Sequence, residues 1–382
     1  MRRPAAPAMA VAAAMAGAVL AGCSEQPAGV GAPQAEPDVL PSRQPLPSWS
    51  APPPTTFTVV ASGDVLIHPA LTEQALADGG GVRDYRPLLE GVKQVVSAAD
   101  LAICHLEVPL AGPEGPFSGW PRFSSPPELA DALAAVGYDA CSTASNHTLD
   151  AGPDGVRSTL DALDAAGIAH AGSARSAEEA QTPRILDVNG AKVGYLSFTF
   201  GLNGLTEPRG MPWLANELDQ AEVLAAAQAA KQAGADVVIA SLHWGNEFQS
   251  QPTAQQRTLA TTLLADDAID LIIGHHAHVV QPFEQINGEW VAYGLGNHVA
   301  RHAEPRGTSE EGVIGRFHFA KGDDGRWRVN GVDYVPTLIE LGPPIRLVDL
   351  TAVELDERRT QAIQRTERVV LSRGAALTRP GR

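Results

Sequence analysis

Phe57-Thr-Val-Val-Ala-Ser-Gly-Asp64-Val-Leu-Ile-His68 decides how the rest of the chain is read. Phe57 to Ala61 are apolar or β-branched and read as a short buried strand, which Gly63 interrupts. An acid, Asp64, follows at once, and a histidine, His68, comes four residues later. The same arrangement returns four times. The run Asp100–Cys104 leads into His105 and Glu107, and Tyr138–Ser142 leads into Ser145-Asn-His-Thr-Leu-Asp150. Asp236–Ser241 leads into Leu242-His-Trp-Gly-Asn-Glu247, and Leu271–Ile273 into Gly274-His-His-Ala-His278.

Helical spacing fills the intervals. It predicts helices over Leu88–Ala98, Glu128–Ala135 (opened by Pro126-Pro127), Gly155–Ala166, Gln220–Ala233 and Thr253–Ala265. Lys192–Phe200 reads as a further strand, and Trp290–Gly294 and Val313–Ala320 as later, antiparallel ones. Strands alternating with helices predict a layered α/β domain, with mixed sheets flanked by helices. In such folds ligands bind just outside the C-terminal ends of the strands. That edge is where the polar segments fall.

Composition narrows the classes. Of 382 residues, 44% are hydrophobic and 19% charged, which gives enough apolar surface to order a backbone and excludes a disordered chain. Only one apolar run approaches spanning length, so a polytopic membrane protein is excluded. A formal charge of −16 excludes nucleic acid as a partner, because nothing basic enough exists to displace counterions. Three cysteines are too few for a disulfide scaffold.

Arg2 and Arg3 precede the small, apolar stretch Ala5–Leu20, and Leu20-Ala-Gly-Cys23 follows. This is the layout of a bacterial secretory signal and is similar to that of a lipoprotein, in which Cys23 is lipidated. The expected organisation is a signal over 1–22, a Pro/Ala-rich tether over 23–56, a folded domain over 57–345 and a charged helix or tail over 346–382. The expected location is the outer face of a cell membrane.

Seven of the eleven histidines, at 68, 105, 147, 243, 275, 276 and 278, lie in the five polar segments beside Asp, Glu or Asn. Imidazole with carboxylate and amide oxygen suits Zn, Mn or Fe. Two such ions about 3.5–4 Å apart can hold a hydroxide and neutralise a phosphoryl oxygen, provided one carboxylate bridges them. A further histidine can protonate the leaving group, since its pKa lies near working pH.

The order Gly-Asp, acid, Asn-His, His, Gly-His-x-x-His resembles the calcineurin-like metallophosphatase superfamily, and more closely the CapA-type family of poly-γ-glutamate capsule biosynthesis. The segments carrying the resemblance include Gly63-Asp-Val-Leu-Ile-His68, Leu106-Glu107, Phe123-Ser-Ser-Pro-Pro-Glu-Leu-Ala130, Ser145–Asp150, His243-Trp-Gly245, Gly274–Gln281 and Tyr293-Gly-Leu-Gly-Asn297. The resemblance implies two divalent ions. Asp64 and His278 would bind the first, Glu107 would bridge, and Asn146, His243 and His276 would bind the second. His147 would be the general acid, oriented by Asp150. His68 is a further candidate ligand at a wider spacing than the phosphatase motif. His105 stands where the family usually has Asn, and is open as a ligand, a substrate contact or a neutral substitution.

Glu247 and Asn297 are candidate substrate contacts, with His298 beside the latter. Of the three histidines in Gly274–His278, His275 is the expected structural one, and Arg301, His302 and Arg306 read as surface residues. Cys104 and Cys141 read first as buried thiols, with a disulfide as the sharper alternative that export would permit. Trp120-Pro-Arg-Phe123 reads as a packing loop. Two functions compete. One is a membrane-anchored metallohydrolase acting on a phosphoester or a cell-surface polymer; the other is a non-catalytic assembly or export factor that binds an anionic polymer. Either would work beside other capsule-synthesis membrane proteins.

Overall fold

The computed structural model describes residues 55–302 and 304–377. The expected signal, the tether up to residue 54 and the lipidation residue Cys23 lie outside them. In chain order the first elements are β1 (Thr56–Leu66), α1 (Pro69–Asp78), α2 (Arg86–Leu89), α3 (Lys93–Ser97), β2 (Leu101–Leu106), α4 (Glu128–Val136) and β3 (Ala140–Ser142). Next come α5 (Gly152–Ala165), β4 (Ala169–Ala171), α6 (Ala177–Gln181), β5 (Ile185–Val188), β6 (Ala191–Thr199), α7 (Gln220–Gln232), β7 (Val237–His243) and α8 (Ala254–Leu263). The last are β8 (Leu271–His275), β9 (Phe283–Ile286), β10 (Glu289–Ala292), β11 (Asn297–Ala300), β12 (Glu311–Lys321), β13 (Trp327–Glu340), β14 (Arg346–Asp349) and α9 (Glu357–Val370).

Two mixed sheets result. One runs β14-β13-β12-β1-β2-β3-β4, with β11 also pairing β1; the other runs β5-β6-β7-β8-β10-β9. Alternation along the strands builds the layers, because successive side chains point to opposite faces. Phe57, Val59 and Ala61 of β1 face the second sheet and meet Val193, Tyr195, Ile239 and Ile273. Val60 and Val65 face the other way, onto Leu71 of α1, Leu88 of α2, Val96 of α3 and Leu133 of α4. On the far side, Val238 and Ala240 of β7 pack on Val223 and Ala227 of α7 and Ala260 of α8. The order is helices, sheet, sheet, helices, as the alternation in the sequence predicts.

Several elements differ from expectation, each for a local reason. β1 does not stop at Gly63. A bulge there lets it continue to Leu66, with β12 pairing its first half antiparallel and β11 its second half parallel. The helix expected over Leu88–Ala98 is two short ones, separated where Gly91 bridges to Val348. Trp290–Ala292 runs parallel to β8, its antiparallel partner being β9. Residues 346–370 do not trail off: β14 completes the first sheet, and α9 buries Ala362 and Ile363 against Leu338 and Leu350. Arg358 and Arg365 of α9 both clamp Glu311 at the head of β12. Cys104 and Cys141 lie opposite each other across β2 and β3, their Cα atoms 4.5 Å apart, and are joined as a disulfide rather than left as thiols.

Candidate metal centre

Five strand ends deliver the polar segments to one place. Gly63 and Gly274 make this possible, because a Cβ at either would sit 1.9 Å from a carbonyl oxygen, that of Gly296 or Tyr293 respectively. With no side chain in the way, Asp64 N–H donates to Gly296 O at 2.9 Å, and the bulge turns the Asp64 carboxylate inward. Glu107 follows β2 directly. Ser145 donates to the Glu107 carbonyl at 2.5 Å and accepts from His147 N at 3.0 Å, which ties the Asn146-His147 turn to the end of β2. His243 ends β7 and His275 ends β8. Beyond β8 the backbone of His276 and His278 is left-handed, with φ of 86° and 54°, a conformation costly for side-chain-bearing residues and found where surroundings impose it.

The resulting floor is dry. Asp64, His105, Glu107, His243, His275, His276 and His278 are all buried. Asp64 lies 3.3 Å from His275 Nδ1 and 3.2 Å from His278 Nδ1, and its Oδ2 accepts from His276 N at 3.2 Å. Glu107 Oε1 is 3.7 Å from His278 Nε2 and 4.0 Å from His243 Nε2. Neither Glu107 oxygen has a hydrogen-bond partner, nor does Asp64 Oδ1 or His276 Nδ1. Ionised carboxylates without partners in such a place cost several kcal/mol, roughly, unless a cation joins them.

Ligand atoms close on common points in four groups: Asp64, Glu107 and His278; Glu107, His243 and His276; Glu247, His276 and His278; and Asp64, His105 and His275. Glu107 belongs to the first two, the place a bridging carboxylate occupies. Asn146 Oδ1 lies 2.9 Å from His243 Nε2, and the Asn146 amide is aimed by its donation to Asn203 Oδ1 at 3.2 Å.

Charge follows burial. Desolvation pushes Glu107 well above the ordinary carboxylate range. Burial acts on Asp64 in the same sense, but the neighbouring His275 and His278 overcome it and hold Asp64 well below that range. Burial keeps His105 and His243 neutral and takes His276 down to about 4. His278 is the exception: burial opposes its charge, yet Glu107 and Asp64 raise it to about 10. Without a metal, a proton on His278 therefore supplies the positive charge between two carboxylates. Neutral imidazoles, unpartnered carboxylate oxygens and a proton in a cation's place fit a divalent metal centre.

Above the floor opens a cleft of about 450 Å³, lined by His68, Trp120, His147, Asn203, Glu247 and Phe248 among others. His147 Nδ1 lies 2.6 Å from Asp150 Oδ2, which also accepts from Phe123 N. Glu247 is exposed at the mouth, and its carboxylate converges with His276 and His278.

The other expected site residues fall elsewhere. His68 belongs to none of the four groups. Its Nδ1 lies 3.1 Å from Leu66 O and 3.2 Å from Arg301 N and can pair with one of them at a time, and its ring walls the cleft. His105 and Asn297 are fully buried and touch no cleft surface, so neither is placed to meet a substrate. Asn297 instead accepts from His278 Nδ1 at 3.0 Å, and His298 turns away to Tyr138 at 2.8 Å. His275 is more than structural filler, since it faces Asp64. His302 is not a free surface residue either: it lines the cleft and packs on His278. Trp120 does not pack; it is 79% exposed on the rim. Asn203 and Phe200, whose ring centre lies 4.5 Å from that of His276, carried no signal in the sequence beyond lying at or near the end of Lys192–Phe200.

These features define an α/β sandwich whose strand ends bring together carboxylates and imidazoles that could hold a metal ion. The chain belongs to the bacterial capsule synthesis protein PGA_cap family, whose model matches residues 58–302. It is 28% identical over 208 residues to the PGA biosynthesis protein CapA of Bacillus subtilis, a match covering 54% of this chain and 53% of that protein. It is likewise 28% identical over 229 residues to the capsule biosynthesis protein CapA of Bacillus anthracis, covering 58% and 53%. A probable polyglutamine synthesis accessory protein of Mycobacterium tuberculosis is 29% identical over 213 residues, covering 53% and 56%. The match spans about half the length of these relatives. Among solved structures, the calcineurin-like phosphoesterase YfkN from Bacillus subtilis aligns with a TM-score of 0.46 and 19% identity, covering 82% of this chain and 97% of that one.

Proposed function

We propose that this chain is a cell-envelope hydrolase of capsule assembly. On this reading it holds two divalent cations (Mn, Fe or Zn) and cuts a phosphoester or a linkage in a cell-surface polymer such as poly-γ-glutamate. The observation that carries the reading is Glu107, buried, without a hydrogen-bond partner and shared between two groups of ligands. Asp64, Glu107 and His278 would hold one ion, and Glu107, His243, His276 and Asn146 the other. When bound, such ions polarise the oxygen of the bond to be cut and acidify water.

The protein's own groups do the rest. Asp150 engages His147 at Nδ1, which leaves Nε2 to hand a proton to the departing oxygen. The dry floor strengthens every charge interaction within it. Similarity to the CapA capsule proteins supports the envelope location and a role beside other capsule-synthesis membrane proteins. A lipid on Cys23 would supply the anchor, and residues 24–56 the reach.

Elemental analysis of the purified chain lacking residues 1–56, alongside Asp64→Ala and His276→Ala, tests the centre. About two equivalents of metal in wild type and loss in both variants is expected; equal metal in all three removes the site. A second reading, a non-catalytic assembly factor, draws support from the mycobacterial relative, a probable synthesis accessory protein. It predicts that His147→Ala still supports polymer export while deleting the tether abolishes it.

A further inference from the structure

His105 has no place in the two ligand groups that share Glu107, yet it is fully buried and both its ring nitrogens are engaged. Its Nδ1 lies 2.7 Å from Ser142 Oγ and its Nε2 lies 2.9 Å from His243 Nδ1. Ser142 Oγ has a further acceptor at 3.4 Å, the Cys104 carbonyl. At the other end, His243 Nε2 faces Asn146 Oδ1 at 2.9 Å. The five groups form one chain: Cys104 O, Ser142, His105, His243, Asn146.

The group of Asp64, His105 and His275 invites a third cation, but the geometry is against it. The His105 and His275 rings stack with centroids 4.0 Å apart and planes 16° from parallel, so their in-plane lone pairs cannot meet at one point. A cation there would also strip His105 from one of its two partners.

The hydrogen-bond chain has two polarities, each making three of its four contacts. In one, Ser142 donates to His105, His105 Nε2–H donates to His243 Nδ1, and His243 Nε2–H donates to Asn146 Oδ1. In the other, His243 Nδ1–H donates to His105 Nε2, His105 Nδ1–H donates to Ser142, and Ser142 donates to Cys104 O. Only the second leaves His243 Nε2 bare. Both imidazoles stay neutral throughout, so choosing a polarity moves protons between ring positions and changes no charge.

We infer that His105 is a positioning residue that presents His243 Nε2 to a divalent cation by accepting the proton on His243 Nδ1. An imidazole ligand whose second nitrogen donates a hydrogen bond is held in orientation and binds metal more tightly, an effect worth about 10–100-fold in affinity. The inference rests on the cation reading of the centre. It gives His105 a use that the substrate-contact expectation did not.

The test compares wild type, His105→Phe and His105→Gln as full-length, metal-free proteins titrated with Zn²⁺ against a chelating indicator. Glutamine keeps an acceptor within reach of His243 Nδ1, and phenylalanine keeps only the ring's bulk. His105→Phe is expected to weaken zinc uptake about 10–100-fold, and His105→Gln to stay close to wild type. In ¹⁵N NMR of selectively labelled wild type, zinc is expected to move the His243 ring proton to Nδ1, hydrogen-bonded to His105 Nε2. Undiminished uptake by His105→Phe overturns the inference. So does a loss in His105→Gln equal to that in His105→Phe, which would make the ring itself a ligand. A wild type that takes up no zinc overturns the cation reading and this inference with it.

Discussion

The floor and the rim of the cleft are built from the same residue types to opposite ends. On the floor, Glu107, His243 and His275 are buried, and several of their polar atoms lack any hydrogen-bond partner. On the rim, Trp120 and Glu247 are exposed, and His147, buried in the wall of the same cleft, is already paired with Asp150. A buried polar group without a partner is costly, whereas an exposed one is satisfied by water. On the proposed function, the unmet groups on the floor are where a cation would sit and the exposed rim is where a substrate would enter.

Glu107→Gln should break this contrast most severely. Removing the shared carboxylate is expected to abolish retained metal and to cut any hydrolysis by more than about 10³-fold. The same change takes away one of the two carboxylates that hold the His278 proton, so the metal-free variant should melt lower than metal-free wild type at pH 8. Metal analysis and paired melting curves check both halves. A variant that keeps its metal would mean that the floor does not need this carboxylate.

His147→Ala acts on the rim and should leave metal content unchanged while lowering turnover by about 10²–10⁴-fold. Turnover of a generic phosphodiester, read beside metal content, separates it from Glu107→Gln. Loss of metal in His147→Ala would erase the distinction between the two layers.

The proton on His278 yields a pH test. Its folded pKa of about 10 lies above the ordinary 6.5, so the folded state binds a proton that the unfolded state releases. The stability this contributes is fully present below about pH 6.5 and is lost as pH rises through 10. Metal-free protein should accordingly melt progressively lower from pH 7 to pH 10. Zinc-loaded protein should lose less over that range, because the cation replaces the proton. Parallel curves with and without zinc would show that no exchange of proton for cation occurs.

Trp120→Ala should give the smallest effect. A 79% exposed rim residue contributes little to folding, so melting should be unchanged within about 0.5 kcal/mol. A several-fold rise in KM for a polymer substrate with kcat held is expected, and an equal fall in kcat would place the residue at the floor instead.

Much of this contrast was legible along the chain. The apolar runs ending in Asp64, Glu107, Asn146-His147, His243 and His276–His278 announced five strand ends, and the rule that such ends carry ligands brought them together. The divisions within that set were not legible. His105 and His68 look alike in sequence, since each follows an apolar run, but one ring is buried in the floor and the other walls the cleft. Which neighbour takes each ring nitrogen depends on strands up to 233 residues away, as with His68 and Arg301. The edge strand β14 and the docking of α9 were equally hidden, because a charged helix reads as solvated until Glu311 is found beneath Arg358 and Arg365.

The sequence by itself determined the alternation of strands and helices, the family, and which residue types reach the strand ends, because periodicity and glycine placement are local properties. The tertiary structure alone decided that Glu107 is shared between two ligand groups, that His278 carries the proton and that His105 stands behind His243. Those outcomes depend on burial and on hydrogen bonds between distant strands, and neither exists until the two sheets have closed on each other.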